Sequence, residues 1–329
     1  MTTWSDTELL ARDEWVASLW RGTLGRGANP VADFYTLGGD DSSAQSFLNQ
    51  VNDYFGSSVT LEVFRRDPSL HALLIHLGAV QLSETCVPLR QSGTRPPLFL
   101  IAGAGGVALQ FTALTRALGD DQPVTIFQSP SMTSRHAPEY SLAAAGRRIA
   151  RAIQHRYPAG PLVLGGHSLG GLVSLHAAHA LKQRGREVNL IATLDCFPGP
   201  HMLPPGARRT SQAAQTHVKR PTMSLIAQMA LAGWWRYPTP IQCQLHFRIG
   251  VARWLWARPV KPWRGPVCVV ASEWESDYVA QTWPQLAPDN LTIVGVPGNH
   301  TSMLSVDHVG DTARAISESI ARLWDEPTA

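Results

Sequence analysis

The chain has 329 residues, room for one large domain and a small one. An apolar fraction of 44% with ordinary glycine and proline content describes a globular protein. The net charge of +3 comes without a basic cluster, which argues against nucleic-acid binding; the arginine pairs at 65–66, 147–148 and 208–209 are scattered, as on solvated faces.

The first segment, MTTWSDTELLARDEW, is polar and charged, so no signal peptide is expected, and no apolar run is long enough to span a membrane. Ser5 and Glu8 make a capping-box pattern that opens a helix through about Trp20. A loop follows, containing Asn29-Pro30 and ending in Phe34-Tyr35-Thr36-Leu37-Gly38-Gly39-Asp40. Ala44, Phe47, Leu48, Val51 and Phe55 then recur at helical spacing until Gly56 stops them, and a third helix is expected from about Ser69 to His76. Residues 1–80 thus read as a small helical bundle, too small for a deep catalytic pocket and suited to interaction. Residues 81–96, with their glycine and prolines, are expected to be a linker.

From residue 97 the chain alternates strands and helices, with strands expected near 98–102, 123–127, 162–165, 190–194, 266–271 and 291–296. The first of these runs, LFLIAGAGG, enters a small-residue loop. It lacks the full GxGxxG spacing and the later acid of a nucleotide site. It suits a backbone donor for an oxyanion instead, most plausibly the N–H of Ala104, paired with the N–H of Leu169. Leu169 follows the most informative segment, LVLGGHSLGGL at 162–172, where Gly166-His167-Ser168-Leu169-Gly170 turns a strand into a helix and lifts Ser168 into solvent. The plain alternative is a glycine-rich loop with an idle serine.

A serine needs a base, and the base needs an orienting acid. Asp195 ends the run NLIATLD, and His300 closes LTIVGVPGNH, so both sit just past strand ends, in the chain order Ser, acid, His. Taken singly, Asp195 could cap a turn and His300 could be a surface histidine. Glu273, Glu275 and Asp277 compete for the acid's role after the strand at 266–271; Asp195 is favoured because it abuts its strand directly. Between Asp195 and that strand, residues 198–264 break the rhythm with Pro204-Pro205, helical stretches and Trp234, Trp235, Trp254, Trp256 and Trp263. Cys86, Cys196, Cys243 and Cys268 share no CxxC spacing and read as free thiols in a reducing cytoplasm, not as a metal site; Cys196 reads as a packed neighbour of Asp195.

From about Val87 onward, PLFLIAGAGG, GGHSLGGLVS, the acid in ATLDCFPG and the histidine in VPGNHTSML are similar to the thioesterase domains that end nonribosomal peptide and polyketide assembly lines. The 27-residue separation of Ser168 and Asp195 fits as well. The resemblance implies an α/β-hydrolase fold over residues 97–329 with a helical lid at about 198–264. It implies the triad Ser168, Asp195 and His300, with Leu169 and Ala104 as oxyanion donors and no metal. It also places the acid after the strand following the elbow helix, favouring Asp195 over Asp277. The loop departs from relatives that begin it with His-Pro.

In the first unit, DFYTLGGDDSSAQSFLNQVNDYFG resembles the core of acyl or peptidyl carrier domains, whose GGDS serine bears 4′-phosphopantetheine. Such a domain commonly precedes such a thioesterase. Aligning through Ala44 and Phe55-Gly56 puts Asp41 at the attachment position, with Ser42 next. Either Ser42 is modified after a one-residue shift of the helix start, or the domain has lost its arm and serves docking; the second is favoured, since a carboxylate cannot form the phosphodiester link. The resemblance implies a cytoplasmic serine thioesterase releasing an acyl or peptidyl chain from a phosphopantetheine thioester. Its partner would be a carrier protein or assembly-line module, with no role for nucleic acid or membrane. An esterase for small free esters, an acyltransferase and a non-catalytic docking protein stand as alternatives.

Overall fold

Leucine, valine and isoleucine runs bounded by glycine and proline form a seven-stranded sheet at the centre of the protein, a computed structural model that describes residues 6–25, 29–199, 223–235 and 237–324. Ahead of the sheet stand α1 (Asp6–Leu24), α2 (Asp41–Phe55), α3 (Leu61–Arg66) and α4 (Leu70–His76). The expected capping box at Ser5 lies outside the described residues. Each later start is capped by a side chain: Asp40 accepts from Ser43 N, Thr60 from Val63 N, and Ser69 from Ala72 N. Gly56 ends α2 in the left-handed conformation that glycine adopts most easily, at φ 61°. Trp20, Phe34, Phe47 and Phe64 meet edge-on or tilted in the middle of this bundle.

The remaining elements are β1 (Cys86–Arg90), β2 (Leu98–Ile101), α5 (Thr112–Ala117), β3 (Val124–Phe127), α6 (Pro130–Thr133), α7 (Leu142–Arg156), β4 (Val163–His167) and α8 (Leu169–Lys182). There follow β5 (Leu190–Leu194), α9 (Met223–Leu231), α10 (Thr239–Leu255), β6 (Val267–Ser272), α11 (Ser276–Thr282), β7 (Leu291–Val296) and α12 (Val309–Trp324). The strand order is β1-β3-β2-β4-β5-β6-β7, parallel throughout except for β1 against β3. This is the α/β-hydrolase type of architecture, with every inner strand buried on both faces.

Residues 86–90 correct the expected linker, because they form β1 and extend the sheet. Pro88 disguised this strand, and the sheet tolerates it because β1 lies at the edge, where a missing N–H need not break a ladder. Alternate residues of the strands feed two cores. Phe99, Leu164, Ile191 and Val269 join α7 and α8 on one face. Leu98, Leu100, Val124 and Val270 join α5 and α12 on the other. The second core is continuous with the N-terminal bundle through α1, which packs on α5 and β1. The sequence's interaction module is therefore fastened to the sheet domain by buried apolar surface.

Candidate active site

The chain reverses its direction of winding between β2 and β4, and a crevice opens there at the carboxyl ends of the strands. The loop after β2 and the elbow after β4 border it. Ser168 has φ 56° and ψ −125°, and the neighbouring strand β5 runs directly into Asp195 at φ 41°. These are the two non-glycine residues with positive φ among the described residues, and such backbone strain persists only where the surroundings enforce it. At Ser168 the enforcement is close packing. A Cβ at Gly166 would lie 2.4 Å from the Gly170 carbonyl carbon, and one at Gly170 would lie 2.1 Å from the Ile101 oxygen. The two glycines of the motif let β4, α8 and β2 converge beneath the serine.

Asp195 is fully buried, and its carboxylate is held from two sides. Ser272 donates its N–H to Oδ1 and its hydroxyl to Oδ2, both at 2.6 Å. His300, delivered by the loop after β7, brings Nδ1 to 3.4 Å from Oδ2, longer than a well-formed hydrogen bond. Burial raises the Asp195 pKa, but His300 and the Ser272 hydroxyl and N–H outweigh it and hold the carboxyl below its ordinary value. Asp277 sits in the first turn of α11, so Asp195 is the acid brought against His300.

Two further residues shape the histidine, and sequence reasoning passed over both. His167 stacks on His300 with ring centroids 4.6 Å apart and donates its Nε2–H to the His300 carbonyl at 2.7 Å. Burial, and then the His300 charge, push the His167 pKa down to about 3, so it acts as a neutral support. Phe197 covers His300 from another side at 5.2 Å. His167 stood inside the recognised motif, but only its partner across 133 residues gives it this task. Ser272 carried no signal beyond its place at a strand end.

The expected donors Ala104 and Leu169 flank the serine's surroundings. Leu169 opens α8, where the first N–H groups of a helix lack partners within it. A Cβ at Gly103 would lie 3.3 Å from Ser168 Cβ, so the loop approaches the serine closely. Helix α10, within the expected lid, packs on that loop: a Cβ at Gly105 would meet the Cys243 carbonyl oxygen at 2.3 Å, and one at Gly250 would meet Ala104 Cβ at 2.3 Å. Residues 200–222 of the expected lid, including Pro204-Pro205, lie outside the described residues. Its tryptophans divide in role. Trp263 is buried in the core and Trp254 donates to the Phe197 carbonyl, while Trp234, Trp235 and Trp256 are exposed. Cys196 is a packed neighbour whose thiol is pushed up by burial. Among the described residues no group of three His, Cys, Asp or Glu side chains could hold a metal ion.

At the expected carrier attachment site, Asp41 is the first residue of α2, and its carboxylate receives Arg65 and the Tyr35 hydroxyl, the latter at 3.1 Å. The Arg65 hydrogen bond, opposed by slight desolvation and aided by Tyr35, lowers the Asp41 pKa. The residue that should carry phosphopantetheine is therefore an engaged carboxylate, which does not fit the attachment. Ser42 is exposed one residue later, turned about 100° around the helix.

A strained serine elbow thus lies beside a buried acid held against a histidine, on a sheet of the α/β-hydrolase type. Family models match a thioesterase domain over residues 96–233 and a phosphopantetheine attachment site over residues 14–77, so these two stretches are similar to a thioesterase domain and to a carrier-type domain ahead of it. Chondramide synthase of Chondromyces crocatus is 34% identical over 61% of this chain, which spans 5% of that protein. A dimodular nonribosomal peptide synthase of Bacillus subtilis is 30% identical over 52% of this chain and 7% of its own length. The chain thus spans a small fraction of the curated relatives it matches.

Among solved structures, the thioesterase domain of NocB from the nocardicin cluster is 24% identical, covers 70% of this chain and 95% of its own, and has a TM-score of 0.54. A four-domain nonribosomal peptide synthetase bound to AMP and glycine covers 96% of this chain and 26% of its own, at 21% identity and a TM-score of 0.58. These likenesses establish the shared fold. Among the described residues no helix is long and apolar enough to cross a membrane.

Proposed function

We propose that this chain is a serine thioesterase that releases an acyl or peptidyl chain from a carrier-borne thioester in nonribosomal peptide-type biosynthesis. The observation that carries the reading is Asp195 against His300 beside the strained Ser168. In this reading His300 takes the Ser168 hydroxyl proton as the oxygen attacks the thioester carbonyl. Asp195 orients the imidazole and stabilises its charged form. The Leu169 and Ala104 N–H groups bind the oxyanion. The carbon–sulfur bond then breaks, the departing sulfur takes the proton from His300, and an acyl-serine remains. Water, activated by His300, attacks that ester and restores Ser168.

Phosphopantetheine, where bound to a carrier, supplies the thiol of the substrate thioester. Because Asp41 cannot hold it, the reading assigns the thioester to a separate acyl- or peptidyl-carrier domain, with the fused domain acting in docking. The four free, buried cysteines support a cytoplasmic setting. Nucleic acid and membrane have no part in it.

The wild-type chain is expected to discharge an acyl group from a separate loaded carrier, while Ser168→Ala loses turnover by at least about a thousandfold and keeps its circular-dichroism spectrum. Incubation with a phosphopantetheinyl transferase and coenzyme A is expected to leave the intact mass unchanged. Full turnover by the alanine variant refutes the catalytic assignment, and a pantetheine adduct on Ser42 refutes the docking role.

A further inference from the structure

A narrow cavity adjoins the loop after β2 on the side of α7 and α10. Gly103, Ala104 and Leu169 border it, and Arg148, His246 and Arg253 line it as well. Its volume of about 40 Å³ holds a few waters or one small polar group, not a long chain. Arg253 is the unresolved element. Its Nε and Nη2 are buried and have no hydrogen-bond partner. An ionised group in that condition is costly unless something arrives to pair with it.

Among the described residues none supplies the partner. Glu139 lies near enough to act on Arg253 electrostatically, but its carboxylate is already shared with Arg148, Oε1 at 2.8 Å from Nε and Oε2 at 3.2 Å from Nη2. Two guanidiniums therefore face one carboxylate. His246 adds no anion, and burial followed by the Arg253 charge pushes its pKa down to about 4. The described part of the stretch 198–264 cannot provide one either, since residues 198–264 contain no aspartate or glutamate.

We propose that Arg253 is the counter-ion for a carboxylate carried by the acyl group, so that the site prefers short acyl chains ending in a carboxylate over neutral ones. The inference rests on the thioesterase reading for its substrate, and on the cavity alone for its charge. Planar guanidinium is suited to this task because it can donate two parallel hydrogen bonds to one carboxylate. The cavity begins beside the oxyanion loop, so an acyl carbonyl at Ser168 and a carboxylate at Arg253 would belong to one extended substrate. Arg253 would then determine specificity rather than take part in bond breaking.

The test compares pantetheine thioesters of glutarate and of its terminal primary amide, which differ in charge and hardly in shape. Wild type is expected to favour the glutaryl thioester by at least about tenfold in kcat/KM, mainly through KM. Arg253→Met should collapse that ratio toward one, and Arg253→Lys should keep part of it. Free glutarate should raise the Tm of wild type and not that of Arg253→Met. Equal turnover of both thioesters by wild type, or an undiminished preference in Arg253→Met, overturns the proposal. If Arg253→Met does not fold, the wild-type ratio and the lysine variant decide. If neither thioester is hydrolysed and a fluorophosphonate fails to label Ser168, the thioesterase reading has failed instead, and the glutarate-dependent Tm still judges Arg253.

Discussion

At the scale of single residues, the site is a set of groups held where they would not otherwise rest. Asp195 is buried, and burial alone would favour its protonated form; His300 and two hydrogen bonds from Ser272 outweigh that and hold its pKa below the ordinary value. Ser272→Ala removes the hydroxyl donor and is expected to raise the Asp195 pKa, moving the acid limb of the kcat/KM profile to higher pH and lowering turnover several-fold. A profile that keeps its acid limb in place shows that Ser272 does not tune the acid. Ser168, Asp195 and His300 could be picked out as candidates in the sequence because motif, strand ends and chain order mark them locally. Ser272, His167 and Arg253 were not. Ser272 and His167 meet partners far away in the chain, Arg253 depends on the cavity packed around it, and no local pattern distinguishes the three from ordinary strand, motif and helix residues.

At the scale of elements, α10 and the N-terminal bundle are joined by a cap. Pro238 precedes α10 and offers no capping side chain. Asp67, at the end of α3, does so instead: its Oδ2 accepts from Thr239 N and Oγ1, both at 2.7 Å, while Ser69 donates to Oδ1 at 2.9 Å. A carboxylate at a helix N-terminus also meets the positive end of the dipole. Asp67→Ala is expected to cost about 1 kcal/mol, the usual magnitude for a lost N-cap. It should also speed amide exchange along α10, measurable by mass spectrometry. Unchanged exchange there refutes the coupling. The helical spacing of α2 and the runs of β2 to β7 could be read directly, because periodicity records which face is buried. The strand β1 could not, since Pro88 broke its pattern and only pairing with β3 made a strand of it.

At the scale of the whole molecule, pH should act through histidines that folding keeps neutral. Burial lowers His71, His176 and His246 to about 4, and His167 to about 3. Between those values and about 6.5 the unfolded chain binds more protons than the folded one, so stability falls as pH falls, by up to about 1.4 kcal/mol per pH unit for each histidine. The half-buried His167 and His176 contribute less than that limit because solvent screens them. Asp13 opposes the trend: burial raises it to about 7, so its contribution is lost as pH rises from about 4 through 7. Four histidines against two raised carboxyls, Asp13 and Asp67, predict a lower urea midpoint at pH 5 than at pH 7.5, and equal midpoints refute this balance. What the sequence determined alone was the order of domains, the alternation of strands and helices, and the serine elbow, because these are written in local spacing, glycine and capping residues. The tertiary structure decided which acid faces His300, which side chains hold that acid, and which guanidinium keeps two buried nitrogens without a partner among the described residues. Those outcomes arise from burial and from contacts between distant segments, which exist only once the chain has packed.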